Sequence, residues 1–119
     1  MIKHVAFFVY PVTDIARARK FYEGLLGLKL AHDFEGRWLE YSIQDVTLAI
    51  TDWFEDAKPS HTGPCLALEV AHADSNFHFY RDNGVTIIKD LYDTPICRIG
   101  MIADPDGNGI LIHQAKVLE

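Results

Sequence analysis

A chain of 119 residues holds one domain-sized hydrophobic core and is too short for two ordinary independent domains. Its 49% hydrophobic, 24% charged and 12% aromatic residues exclude a disordered or collagen-like polymer, and a net charge of −6 without a concentrated basic face argues against nucleic acid and anionic lipid as partners. Cys65 and Cys97 are the only cysteines and form no CxxC pair, so a disulfide framework and a zinc ribbon are both excluded within one chain, and a reducing, cytoplasmic setting is expected.

The N-terminus runs straight into a strand-like pattern without a leader, and nowhere do about 18 apolar residues run together, so neither secretion nor a membrane span is expected. Residues 4–10, rich in β-branched and aromatic side chains and closed by Pro11, predict a strand. Asp14 stands where a helix N-cap belongs. Behind it Ile15, Ala18, Phe21, Tyr22, Leu25 and Leu26 recur at helical spacing, and Gly27 is the expected stop. Strand-like runs near 28–34, 37–43 and 46–52 follow, separated by Glu35-Gly36 and Gln44-Asp45 at hairpin spacing.

The segment 56–63 loses periodicity around Pro59, Ser60, Thr62 and Gly63 and reads as a linker. A second cycle then begins with a strand at 65–70. Asp74 is the candidate cap of a helix carrying Phe77, Phe79 and Tyr80, which stops near Asn83-Gly84. Strands near 85–90, 96–104 and 109–114 complete the cycle, the last two joined by the turn-rich run 104–109. The halves align element for element at an offset of roughly 60 residues, the mark of an internal repeat. The expected fold is therefore α+β: a single domain of two tandem βαβββ modules, about 1–55 and 64–119, with curved mixed sheets.

Three stretches, His4-Val5-Ala6-Phe7-Phe8-Val9, Phe21-Tyr22-Glu23-Gly24-Leu25-Leu26-Gly27-Leu28 and Asp104-Pro105-Asp106-Gly107-Asn108-Gly109-Ile110, carry a resemblance to the vicinal oxygen chelate superfamily of glyoxalases, bleomycin resistance proteins and extradiol dioxygenases. The last two motifs also have structural explanations, as a helix face packed on a sheet and as a tight hairpin. The resemblance implies curved sheets forming a concave small-molecule pocket, a homodimer, and in the enzymes a divalent metal acting as a Lewis acid on two neighbouring substrate oxygens.

Period-two alternation assigns the inward side chains if the more uniformly apolar face lies under the helix. On that reading His4, Ala6, Phe8 and Tyr10 of the first strand, Ala49 of the fourth, Cys65 and Glu69 of the fifth, and Leu111 and His113 of the last point into the pocket. The resemblance implies metal ligands at His4, Ala49, Cys65 and Leu111, of which only His4 and Cys65 can bind a metal (zinc, iron, manganese or nickel). The departures at Ala49 and Leu111 speak against glyoxalase I and ordinary extradiol chemistry.

Glu69 is a candidate base and His113 a candidate acid or further ligand. The duller readings are a solvent-exposed strand-end carboxylate and an ordinary histidine. Arg98 is a candidate pocket cation for an anionic substrate or a partner for Glu40 or Glu69, against a plain surface ion pair. Trp38 is a candidate pocket wall. Trp53-Phe54, where the chain leaves the first module, fits a dimer interface, with ligand stacking as the alternative. Two functions follow from these residues: a metal-dependent lyase, isomerase or dioxygenase with a reduced ligand set, or a metal-free protein that binds or sequesters a small molecule.

Overall fold

In this computed structural model, residues 1–53, 55 and 57–116 are described, and they form two compact units dividing between Pro59 and Ser60. In the first unit, β1 (Phe8–Pro11) begins at Phe8 rather than at His4. Its only partner is the parallel strand β4 (Val46–Thr51), paired from Phe8 with Leu48 to Pro11 with Thr51. Because β4 starts at Val46, residues ahead of Phe8 have almost no strand beside them to supply a ladder, and apolar composition alone does not make one. Pro11 is tolerated because β1 lies at the sheet edge.

Helix α1 (Ile15–Arg19) opens at Asp14, whose side chain accepts the Arg17 N–H at 3.0 Å. It continues as a π-wound segment, Lys20–Leu25, and ends at Gly27 with φ +70°, where the Leu28 N–H reaches the Tyr22 carbonyl at 2.9 Å. An antiparallel meander of β2 (Lys29–Phe34), β3 (Trp38–Ile43) and β4 completes the sheet in the order β1-β4-β3-β2. The core lies between helix and sheet. Fully buried Tyr22 stacks on fully buried Tyr41 with ring centroids 6.0 Å apart, over Leu39, Leu48 and Ile50.

The second unit repeats this plan with β5 (Leu66–Glu69), α2 (Ala73–Asp82), β6 (Ile87–Asp93), β7 (Cys97–Ala103) and β8 (Gly109–Ala115) in the order β5-β8-β7-β6. Again the outer pair, β5 and β8, is parallel and the others are antiparallel. The tandem βαβββ reading is thus realised as two four-stranded mixed sheets, each with its helix. Asp74 does not cap α2: the helix starts after His72, and the Ala73 N–H is accepted by the Gln114 side chain at 2.8 Å, so a residue of β8 does the work of a local cap. Phe77, Ile102, Ile110 and Ile112 fill the core. Gly100 is required there, because a Cβ would lie 2.7 Å from the Phe77 ring and 2.9 Å from the Lys89 carbonyl.

The run Asp104-Pro105-Asp106-Gly107-Asn108 is a structural turn. Buried Asp104 accepts the N–H groups of Asp106 and Asn108 through Oδ1, at 2.9 and 2.8 Å, and the Asn108 amide through Oδ2 at 2.8 Å. Gly107 at φ +92° supplies the left-handed residue that the turn requires. The motif therefore builds a hairpin.

Candidate small-molecule site

Strand register decides which residues share a face. In the first sheet, Leu39, Tyr41, Leu48 and Ile50 go under the helix, which leaves two cross-strand rows on the opposite, open face. One row is Val9, Ala49, Glu40 and His32; the next is Pro11, Thr51, Trp38 and Phe34. Ala49 is where alternation predicts it, and Trp38, named as a candidate pocket wall, shares its face.

Phe8 and Tyr10 are not: they pair in parallel with Leu48 and Ile50 and so belong to the helix face, with Tyr10 9% exposed. The inversion has a simple cause. Val5 through Tyr10 is apolar at every position, so period two carries no polarity contrast, and the face was set by the partner strand. Phe7, expected under the helix, instead makes an edge-to-face contact with Trp38, centroids 5.3 Å apart.

On the open face Phe34, Trp38, Glu40 and Trp53 line a cavity of about 450 Å³. The three-residue turn 35–37 sets Phe34 directly opposite Trp38. Left-handed Glu35 and Gly36, at φ 57° and 67°, and the Asp33 side chain accepting the Gly36 N–H at 2.8 Å, hold that turn. Fully buried Thr51 accepts the Trp53 N–H at 3.1 Å while donating to the Arg37 carbonyl at 2.7 Å, and Arg37 pairs with Asp52 at 2.9 Å. Trp53 is thereby held against Trp38, with centroids 5.9 Å apart and planes inclined at 30°. The Trp38 indole N–H donates to Glu40 Oε2 at 2.9 Å, so the carboxylate stands at the edge of the aromatic surface with its orientation set. Phe34 is the residue that sequence reasoning missed. Its signal was the spacing of two aromatics across a short glycine turn.

Beneath this sheet, Tyr41 donates to Glu23 at 2.8 Å and Arg19 clamps the same carboxylate at 2.6 and 3.1 Å. The Arg19 hydrogen bond, reinforced by Tyr41, holds Glu23 below the usual carboxylate range, and burial pushes the Tyr41 phenol upward. This network closes the helix face and takes no part in the cavity.

In the second sheet the open face carries Ala67 and Glu69 of β5, Leu111 and His113 of β8, and Ile99 and Met101 of β7. Glu69 and His113, named separately from the sequence, are register partners. His113 Nδ1 donates to Glu69 Oε1 at 2.5 Å, and the Ala115 N–H donates to Glu69 Oε2 at 2.7 Å. The backbone bond first, and the histidine second, lower the Glu69 pKa. An ionised carboxylate only accepts, so the histidine proton that faces it is on Nδ1.

Arg98 takes the opposite face. It grips Asp74 through two bonds of 2.8 Å and reaches Asp93 at 3.2 Å, so it pairs with neither Glu40 nor Glu69 and tethers α2 to its sheet. Those two carboxylates raise its pKa further. Sequence alternation could not reveal this, because the partner acids come from a helix and a neighbouring strand.

His4 is exposed ahead of β1, its Nδ1 3.0 Å from the Val5 carbonyl. Cys65 is half-buried just before β5, and Cys97 is buried with its sulfur 3.1 Å from Thr94 Oγ1. Phe54 lies outside the described residues.

The chain belongs to the Glyoxalase/Bleomycin resistance protein/Dioxygenase superfamily, whose family model matches residues 1–112. Similar solved structures include TnmS3, an antibiotic binding protein from Streptomyces sp. CB03234, at 32% identity and TM-score 0.82 over 97% of this chain and 98% of that one. A glyoxalase/bleomycin resistance protein from the same organism matches at 32% identity and TM-score 0.75, over 91% and 97%. The fosfomycin resistance protein FosX from Mesorhizobium loti, at 18% identity and TM-score 0.73 over 98% and 96%, shares the fold. A search of the curated proteins gives no match. No helix among the described residues is long and apolar enough to cross a membrane.

The family's enzymes imply a divalent metal, and the residues here do not fit one. Two of the four implied ligand positions carry Ala49 and Leu111, which have no donor atom, and among the described residues no group of three or more His, Cys, Asp or Glu side chains is arranged to hold an ion.

Proposed function

We propose that this protein binds and sequesters an aromatic small molecule on the open face of its first sheet, without a metal. The observation that carries this reading is the cavity walled by Phe34, Trp38 and Trp53 with the carboxylate of Glu40 at its edge. Mostly apolar walls with few polar groups are the usual form of a small-molecule pocket. The two indoles are already in contact, and a ring inserted between them would need roughly 7 Å, twice an ordinary carbon contact. A flat ligand therefore lies across the pair. The 32% identity to an antibiotic binding protein over nearly the whole of both chains supports an antibiotic as the ligand.

The test is calorimetric and fluorescence titration with a panel of polycyclic aromatic antibiotics, beside Trp38→Ala. Tryptophan quenching with unchanged ligand, lost in the variant, is the expected result. Chemical conversion of the bound compound, or stoichiometric uptake of zinc, iron, manganese or nickel by dialysed protein, would overturn the sequestering role.

A second reading concerns the other unit: Glu69 and His113 form a proton-transfer pair, supported by the 2.5 Å contact that directs the histidine proton. Turnover abolished in His113→Ala and retained in Trp38→Ala would favour it. The working form on our reading is a cytoplasmic homodimer. Exposed Val5, Phe7, Phe8 and Val9 support self-association, and two free cysteines suit a reducing compartment. Light scattering of the purified chain at several concentrations tests the dimer.

A further inference from the structure

Resting on the small-molecule reading, we propose that Glu40 is the specificity-determining residue of the first-sheet cavity and that the ligand carries a positive charge, an organic cation on an aromatic framework. Among the described residues the lining is three aromatic rings and one carboxylate, with no cationic side chain. Electron-rich ring faces attract a desolvated cation, tryptophan most strongly, and Trp38 and Trp53 present the surface on which it would lie.

Glu40 supplies the counter-charge. Its Oε2 accepts the Trp38 indole N–H at 2.9 Å, which fixes the carboxylate to the ring edge, and an ionised carboxylate has acceptor capacity beyond that one bond. Arg37 pairs with Asp52 at 2.9 Å, and neither it nor His32, the register partner of Glu40, is among the described lining residues. An anionic ligand, or a neutral one without a hydrogen-bond donor, would have to be held against a half-buried carboxylate with nothing to offer it, and that mismatch discriminates against it. The net charge of −6 acts in the same direction at long range.

A matched pair of probes tests this: 10-methylacridinium, a flat cation, and acridine, its neutral counterpart at pH 8, titrated calorimetrically into the full chain. Wild type should bind the cation about tenfold more tightly. Glu40→Gln keeps an acceptor for the Trp38 indole and should reduce the preference to within about threefold while still binding acridine. Trp53→Ala should weaken both probes, and circular dichroism confirms that each variant is folded. Equal binding of both probes by wild type, or a preference unchanged in Glu40→Gln, would overturn the cation proposal and leave aromatic binding standing. Binding of neither probe would overturn both.

Discussion

The two units share topology and strand order, yet their open faces carry different chemistry. At equivalent places on the third strand and the outer parallel pair, the first sheet presents Trp38, Glu40 and Ala49, and the second presents Ile99, Met101 and Leu111, with Glu69 and His113 beyond them. The helix faces, by contrast, are alike: Leu48 and Ile50 are answered by Ile110 and Ile112, all fully buried. The repeat is retained where packing requires it and differs between the two open faces. A fold of this kind sets no activity by itself.

The sharpest way to break this contrast is to compare neighbours on opposite faces. Tyr22→Ala, in the first core, should cost about 3–5 kcal/mol and Ile110→Ala, in the second, about 2–5 kcal/mol in chemical denaturation. Leu111→Ala, one residue along, should cost roughly 1 kcal/mol or less. Equal losses at 110 and 111 would mean that the faces are wrongly assigned. Trp38→Ala should then weaken aromatic-ligand binding roughly thirtyfold, a loss of the size seen at buried aromatic anchors. Asp104→Ala should destabilise by about 2–3 kcal/mol, because buried turn donors lose their acceptor.

The smallest expected effect concerns the second open face. Glu69 titrates below its ordinary range when folded, so its contribution is complete above that range and disappears as pH falls through the depressed value. At 60% side-chain exposure the contribution is screened and slight. Thermal melts from roughly pH 6 down to about pH 3 should show a small wild-type advantage over Glu69→Gln that shrinks with acid. An advantage that grew with acid would contradict the pairing with Ala115 and His113.

Helix positions, hairpins and the repeat were legible in the chain because each rests on local chemistry. Asp14 caps α1, Gly27 and Gly84 adopt φ +70° and +74° at helix ends, and buried positions recur at the period of their element. Ala49 and Leu111 could be placed on open faces for the same reason, since Leu48, Ile50, Ile110 and Ile112 flank them with a clear apolar alternation.

What the tertiary structure decided are the matters that depend on a distant partner. The first strand is apolar throughout, so only its register with β4 could send Phe8 and Tyr10 to the helix and Phe7 to Trp38. Arg98 found Asp74 and Asp93 rather than Glu40 or Glu69, and Asp74 lost its capping role to a side chain of β8. Glu69 met His113, and Phe34 met Trp38, through strand pairing. Periodicity along a chain reports how often a residue turns toward the core. Which charge or ring stands opposite is set by register between strands, and that is fixed only when the whole sheet packs against its helix.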